Sequence, residues 1–212
     1  MLQYEIGLPR QVQDGAPVVV LLHGRGSHMG DLMGLRPYLP EEMILVAPQA
    51  PFPGQPWGYG PGWAWYRFLG RNRPEPESFA AGQEALEEFL RELPGRLPVQ
   101  PGPLALGGFS QGGTMSLAYA LRNPGRVAHC INLSGFLADH PSVRLSAETV
   151  RGTRFFWGHG TADPAIPFDL AVEGRAQLRS AGADLTEGTY RMGHSISTEE
   201  IQDLVRWLTA PL

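Results

Sequence analysis

Gly108-Phe109-Ser110-Gln111-Gly112 places one serine inside a G-x-S-x-G pattern, after an apolar run and ahead of a helical one. A serine hydroxyl is a weak nucleophile until a base takes its proton and an acid orients that base. The chemistry suggested is therefore nucleophilic attack by Ser110. Glycines two residues before and after it clear side chains from a sharp strand-to-helix turn. The serine in such a turn adopts a strained backbone that pushes its hydroxyl outward. A helix starting there aims its first N–H groups at negative charge developing on the substrate. A plain glycine-rich turn is the competing use of the pattern.

When a serine of this kind works in a parallel α/β sheet, the acid and then the base follow it in the chain. Downstream, Asp163 stands in Gly158-His159-Gly160-Thr161-Ala162-Asp163-Pro164, just beyond the apolar run Thr153–Trp157. Asp139, Glu148, Asp169, Glu173, Asp184 and Glu187 are less well placed. Aspartate is common in turns, so a turn or cap role competes for Asp163. His194, in Arg191-Met192-Gly193-His194-Ser195, falls between the last strand and the last helix, where the base is expected. His129 reads as a core residue, His140 as a loop residue, and His159 as a surface or supporting neighbour of Asp163.

A tetrahedral intermediate needs two N–H donors. Gln111, after the serine, offers one. Leu22-His23-Gly24-Arg25-Gly26-Ser27, after an early strand, offers Arg25 N–H as the second, with glycines that let the backbone approach closely. No metal is expected. His23 and His28 lack a carboxylate at H-E-x-x-H spacing, and the single cysteine, Cys130, cannot build a cysteine-rich zinc site. No cofactor is needed for this chemistry. The chain contains no lysine, which excludes a lysine nucleophile.

These residues need a frame. Val18–Leu22, Met43–Ala47, Leu104–Phe109, Val127–Leu133 and Thr153–Trp157 are short apolar runs without alternation, as in strands covered on both faces. Asp184–Tyr190 reads as the final strand. Ser78–Leu93, Thr114–Arg122, Phe168–Ser180 and Thr198–Leu208 have helical spacing. The alternation predicts an α/β fold with a mainly parallel central sheet flanked by helices. Ligands of such sheets sit at the carboxyl ends of the strands. Residues 1–212 read as a single domain. The stretch 48–76, rich in Pro, Gly and Trp, has neither period and reads as a long functional loop.

The 212 residues are 42% hydrophobic and 18% charged, with a net charge of -4, so no basic surface for nucleic acid is expected. The N-terminus lacks a signal-peptide pattern, and no apolar run is long enough for an integral membrane segment. A cytoplasmic protein with a small-molecule partner is the expectation. A homodimer is left open.

LLHGRGSHMGDL, GFSQGG, LSGFL at 133–137, HGTADPAIP at 159–167 and MGHSIS at 192–197 together resemble the phospholipase/carboxylesterase family, which includes acyl-protein thioesterases. The resemblance runs in order over nearly the whole chain. It implies an α/β-hydrolase fold without a large lid domain. It implies hydrolysis of carboxylic esters or thioesters, lysophospholipids among them. It assigns Ser110, Asp163 and His194 as the triad, with the N–H groups of Arg25 and Gln111 as the oxyanion hole. It also suggests Trp65, Phe136 and Leu137 as substrate-pocket residues. Two departures stand out. Arg25 occupies a position where many members carry Leu, and its charge either favours an anionic substrate group or faces solvent. Trp65-Tyr66-Arg67 replaces a run that often ends in Asp. The loop's aromatics either wall a pocket or hold the loop down. Two rival readings are a small serine peptidase, which would usually add a gating domain, and a non-catalytic binding protein of the same fold, which would typically lack a triad member.

Overall fold

Helices on both faces explain why the inner strands are unbroken apolar runs. The computed structural model describes residues 2–210. The strands are β1 (Tyr4–Gly7), β2 (Val18–Leu22), β3 (Ile44–Pro48), β4 (Phe52–Pro53), β5 (Trp63–Ala64), β6 (Leu104–Phe109), β7 (His129–Leu133), β8 (Arg154–Gly160) and β9 (Asp184–Tyr190). The helices are α1 (Pro76–Glu92), α2 (Gln111–Arg122), α3 (Phe168–Ser180) and α4 (Thr198–Thr209). Seven strands form one sheet in the order β1-β3-β2-β6-β7-β8-β9. All neighbours in it are parallel except β1, which runs antiparallel to β3 along the edge.

Side chains alternate between two cores, as strand geometry demands. Val18, Val20 and Leu22 of β2 join Phe79, Leu86, Met115, Leu117 and Leu170 from α1, α2 and α3. Val19 and Leu21 point the other way, toward Leu204, Trp207 and Leu208 of α4. Cys130 of β7 is buried, and burial pushes its thiol well above the usual range.

The expected elements are present, with shifted limits. Helix α2 begins at Gln111 rather than Thr114, so Ser110 is its N-cap residue. Strand β8 continues through His159 to Gly160, where the apolar run had suggested an end at Trp157. Strand β1 carries no periodic signal. Its four residues are half-buried or exposed, as suits an edge. Within the long loop, β4 and β5 pair as a two-stranded hairpin.

The fold gathers the carboxyl ends of β2, β6, β8 and β9 at one rim. Helix α4 fixes the last of these segments. Ser197 caps it by accepting the Glu200 N–H at 3.1 Å, a contact of about 1 kcal/mol. Farther along, Trp207 packs against Phe156 and edge-on against His129, at 5.6 and 5.2 Å. The loop carrying His194 thus leads into a helix anchored at both ends.

Candidate active site

Ser110 has φ 56 and ψ -116, a backbone state that side chains rarely adopt. Its N–H donates to Leu133 O at 2.8 Å, which ties the turn to β7. Its carbonyl accepts from Thr114 N at 3.1 Å, and Thr114 Oγ1 in turn accepts from Phe136 N at 3.1 Å. A Cβ at Gly108 or Gly112 would collide with the carbonyl oxygen of Leu22 at the end of β2. The glycines are therefore required by β2 crossing close to the turn as well as by crowding within it.

His194 Nε2 lies 2.9 Å from Ser110 Oγ. Its Nδ1 lies 2.7 Å from Asp163 Oδ2. With Nδ1–H donating to the carboxylate, Nε2 presents its lone pair to the serine hydroxyl. The imidazole also packs on Phe109, with ring centroids 4.7 Å apart. The Asp163 carboxylate has no exposed surface. Its other oxygen, Oδ1, accepts from Ala165 N and Ile166 N, both at 2.8 Å. These bonds compensate the charge in a buried place and fix its orientation.

His159 stands behind Asp163. Its Nε2 donates to Ile166 O at 2.9 Å and lies 3.6 Å from Asp163 Oδ2. Burial lowers its pKa. It braces the Asp163 loop as a neutral ring and is fully buried, where the sequence had allowed a surface position.

His23 performs a similar task for the Arg25 loop. Its Nδ1 donates to Gly24 O at 2.7 Å, and its Nε2 accepts from Ala50 N at 3.1 Å. Only a neutral imidazole makes both bonds, and burial lowers the pKa to about 4. The Arg25 N–H has no backbone acceptor among the described residues. Gln111 N–H, in the first turn of α2, has no partner within its helix. Both expected oxyanion donors are thus open to a ligand. The Gln111 side chain has a separate use. Its Oε1 accepts from Trp65 N at 3.0 Å, and its Nε2 donates to Tyr66 O at 2.9 Å.

Ser110 and His194 open into a pocket of about 170 Å³. Its apolar wall includes Tyr66, Phe68, Phe109, Phe136 and Ile166. Phe136 lies where the sequence put it. Trp65 and Leu137 do not. Trp65 is fully buried, and its Nε1–H donates to His23 O at 3.0 Å, so it supports the loop carrying Arg25 from beneath. Leu137 lines a separate depression with His140 and Val143. The long loop is partly held by its own rings, with Phe52 on Trp57 and Trp57 on Tyr59 at 5.1 and 6.0 Å. Phe68 and Tyr66, which follow them, face the pocket.

His23 and the Gln111 amide escaped functional reading, because Ala50 for the one and Trp65 and Tyr66 for the other lie far off in the chain. His159 takes the supporting place beside Asp163 that its position four residues away had allowed. Among the described residues, no three His, Cys, Asp or Glu side chains cluster as a metal ion would require. No helix among them is long and apolar enough to cross a membrane.

A family profile described as Phospholipase/Carboxylesterase matches residues 9–211. The chain belongs to the phospholipase/carboxylesterase family. Acyl-protein thioesterase 1 of Candida albicans is 27% identical over 221 residues, covering 96% of this chain and 95% of that protein. The crystal structure of esterase PE8 is 27% identical, with a TM-score of 0.78 over 98% of this chain and 97% of that one. Acyl-protein thioesterase 2 of Zea mays, 22% identical with a TM-score of 0.79 over 98% and 97% of the two chains, shares the fold. This member of the family is an α/β-hydrolase without a large lid, and it is a hydrolase of ester bonds.

Proposed function

We propose that the protein is a serine carboxylesterase that works through an acyl-enzyme on Ser110. The observation carrying this reading is the relay Ser110–His194–Asp163, with steps of 2.9 and 2.7 Å, opening on an apolar pocket. His194 Nε2 takes the Ser110 proton as Oγ bonds to the acyl carbon. The carbonyl electrons move onto oxygen, where the N–H groups of Arg25 and Gln111 meet the charge. The oxyanion then collapses, the bond to the leaving alkoxide breaks, and that group takes the proton from His194. Water repeats the sequence. It gives a proton to His194 and its oxygen to the acyl carbon, and Ser110 regains its proton as the acid leaves.

Pocket size narrows the substrate. A cavity of ~150 Å³ lined by apolar side chains holds benzene, and this pocket is about 170 Å³. Short acyl groups fit it better than long fatty chains. Thioesters are the second substrate class, because the same groups expel a thiolate and relatives are named acyl-protein thioesterases.

The test is hydrolysis of p-nitrophenyl esters of two to twelve acyl carbons by the parent and by Ser110→Ala. Turnover should peak at short chains and fall by a factor of ~10⁴ or more in the variant. A variant keeping a tenth of the parent rate would refute the nucleophile assignment.

A further inference from the structure

Arg25 brings two different groups to the pocket. Its backbone N–H is the proposed oxyanion donor, while its side chain forms part of the rim beside Ser27 and Asp31. The guanidinium lies over the Tyr59 ring, 4.7 Å from the centroid, and 5.8 Å from that of Phe68. Cation–π contacts of this kind hold a guanidinium against the rings. Its N–H donors form the fork that matches a carboxylate or phosphate.

No group among the described residues uses that fork. Among the described residues, no carboxylate oxygen lies within 4.0 Å of Arg25 and no hydrogen bond leaves its side chain. Some other arginines are engaged. Arg71 pairs with Asp169 and Glu173, and Arg175 donates to the carbonyls of Trp157 and Gly188. The pocket's carboxylate, Asp31, accepts from Ser27 Oγ at 2.7 Å. The pocket thus combines an apolar body with a positioned, uncompensated cation at its edge. Few polar groups in an otherwise apolar pocket are what set ligand orientation.

We propose that the Arg25 side chain receives an anionic group of the substrate, so that the preferred substrates are short esters bearing a carboxylate or phosphate a few atoms from the scissile carbonyl. The proposal rests on the esterase reading and names its substrate class. The anion enters either on the acyl part or on the alcohol part, and both present the same chemistry to Arg25.

Two pairs of esters separate these sources. Mono-p-nitrophenyl glutarate is compared with p-nitrophenyl valerate, which has the same acyl length without the charge. The butyrate ester of glycolate is compared with that of methyl glycolate, with released acid followed by titration. In at least one pair, kcat/KM for the anion should exceed that of its neutral partner by about tenfold. Arg25→Leu should abolish that ratio. Arg25→Lys, which keeps the charge without the planar fork, should retain part of it. Added NaCl should lower the ratio in the parent. Comparing two esters within one variant cancels any general loss of rate through the Arg25 backbone. A ratio at or below one in both pairs, or a ratio unchanged in Arg25→Leu, overturns the proposal. If no ester shows Ser110-dependent turnover, the esterase reading fails separately. Calorimetric binding of glutarate and of glycolate to Ser110→Ala, with and without Arg25→Leu, then decides the anion site alone. Binding lost with Arg25 supports the site, and no binding or unaffected binding refutes it.

Discussion

The carbonyl of Leu22 occupies the space that a side chain at Gly112 would need. The last residue of β2 and the second residue of α2 therefore meet backbone to backbone. The proposed oxyanion loop begins one residue after Leu22, and the proposed nucleophile, Ser110, lies two before Gly112. One contact sets the distance between the two halves of the site.

Gly112→Ala should push these halves apart. Overpacking at such a contact costs roughly 1–3 kcal/mol of stability. A displacement on the order of 1 Å at the oxyanion donors lowers kcat by ~10². Steady-state kinetics beside thermal melts check this, and parent-like kcat in a folded variant would show that the contact does not set the site.

Asp163→Asn tests the orienting acid. An amide can donate to His194 Nδ1 and so favour the tautomer that turns an N–H toward Ser110. With Oδ1 still able to accept from Ala165 and Ile166, the loop stays in place. The expected loss is ~10⁴ in kcat with KM little changed. A loss confined to KM would assign Asp163 to substrate binding.

Gln111→Ala separates two roles in one residue. The backbone N–H remains, while Trp65 N and Tyr66 O lose their partners. Unpaired buried groups cost roughly 1–3 kcal/mol each, so the loop should loosen. We expect easier proteolysis within residues 55–75 and a raised KM. A variant equal to the parent in both would show that the amide is dispensable.

Glu200 gives stability a particular pH dependence. Its carboxyl has no exposed surface and faces the Gly158 backbone, and neither oxygen has a hydrogen-bond partner among the described residues. Burial pushes it up to about 8 from 4.5, partly offset by the nearby Ser197 backbone N–H and, less, by the Arg175 guanidinium. Between those values the folded chain keeps a proton that the unfolded chain has released. Stability therefore falls as pH rises through the window, by about 1.4 kcal/mol per pH unit at most. Glu200→Gln should be more stable relative to the parent at pH 8 than at pH 5. Equal differences in urea melts at both values would contradict this.

His23 acts in the opposite direction at lower pH. Its folded value of about 4 lies below the 6.5 of a free histidine, so the unfolded chain gains the proton first as pH falls. Stability is lost from about 6.5 downward, by about 1.4 kcal/mol per unit at most. His129, His140 and His159 are shifted the same way. With Glu200 acting in the reverse sense, stability falls toward both acid and alkaline pH, and its maximum lies between about pH 5 and 8. Urea titrations from pH 4.5 to 8.5 check this, and a curve still rising above pH 8 would contradict it.

The residues most legible in the sequence are those whose place follows from chain order and strand ends. Ser110, Asp163 and His194 each follow an apolar run, and parallel topology brings those ends together. Trp65 illustrates the limit. It sits in a loop without period, and burial there is set by contacts with His23 and Gln111, far off in the chain. Leu137 and Phe136 are neighbours past a strand end, where alternation no longer says which one faces the pocket. Strand β1 is too short and too exposed to leave a pattern. His23 looks like an ordinary histidine until its two ring nitrogens are given partners.

Cys130 is the chain's sole cysteine, and it is sealed inside β7 with a thiol that resists ionisation. The folded protein therefore presents a thiol-free exterior to labelling reagents. A cysteine introduced among the residues lining the pocket, for example in Ser27→Cys, becomes the sole reactive thiol, and a fluorophore or spin label attached there reports on ligand entry without background from the native sequence.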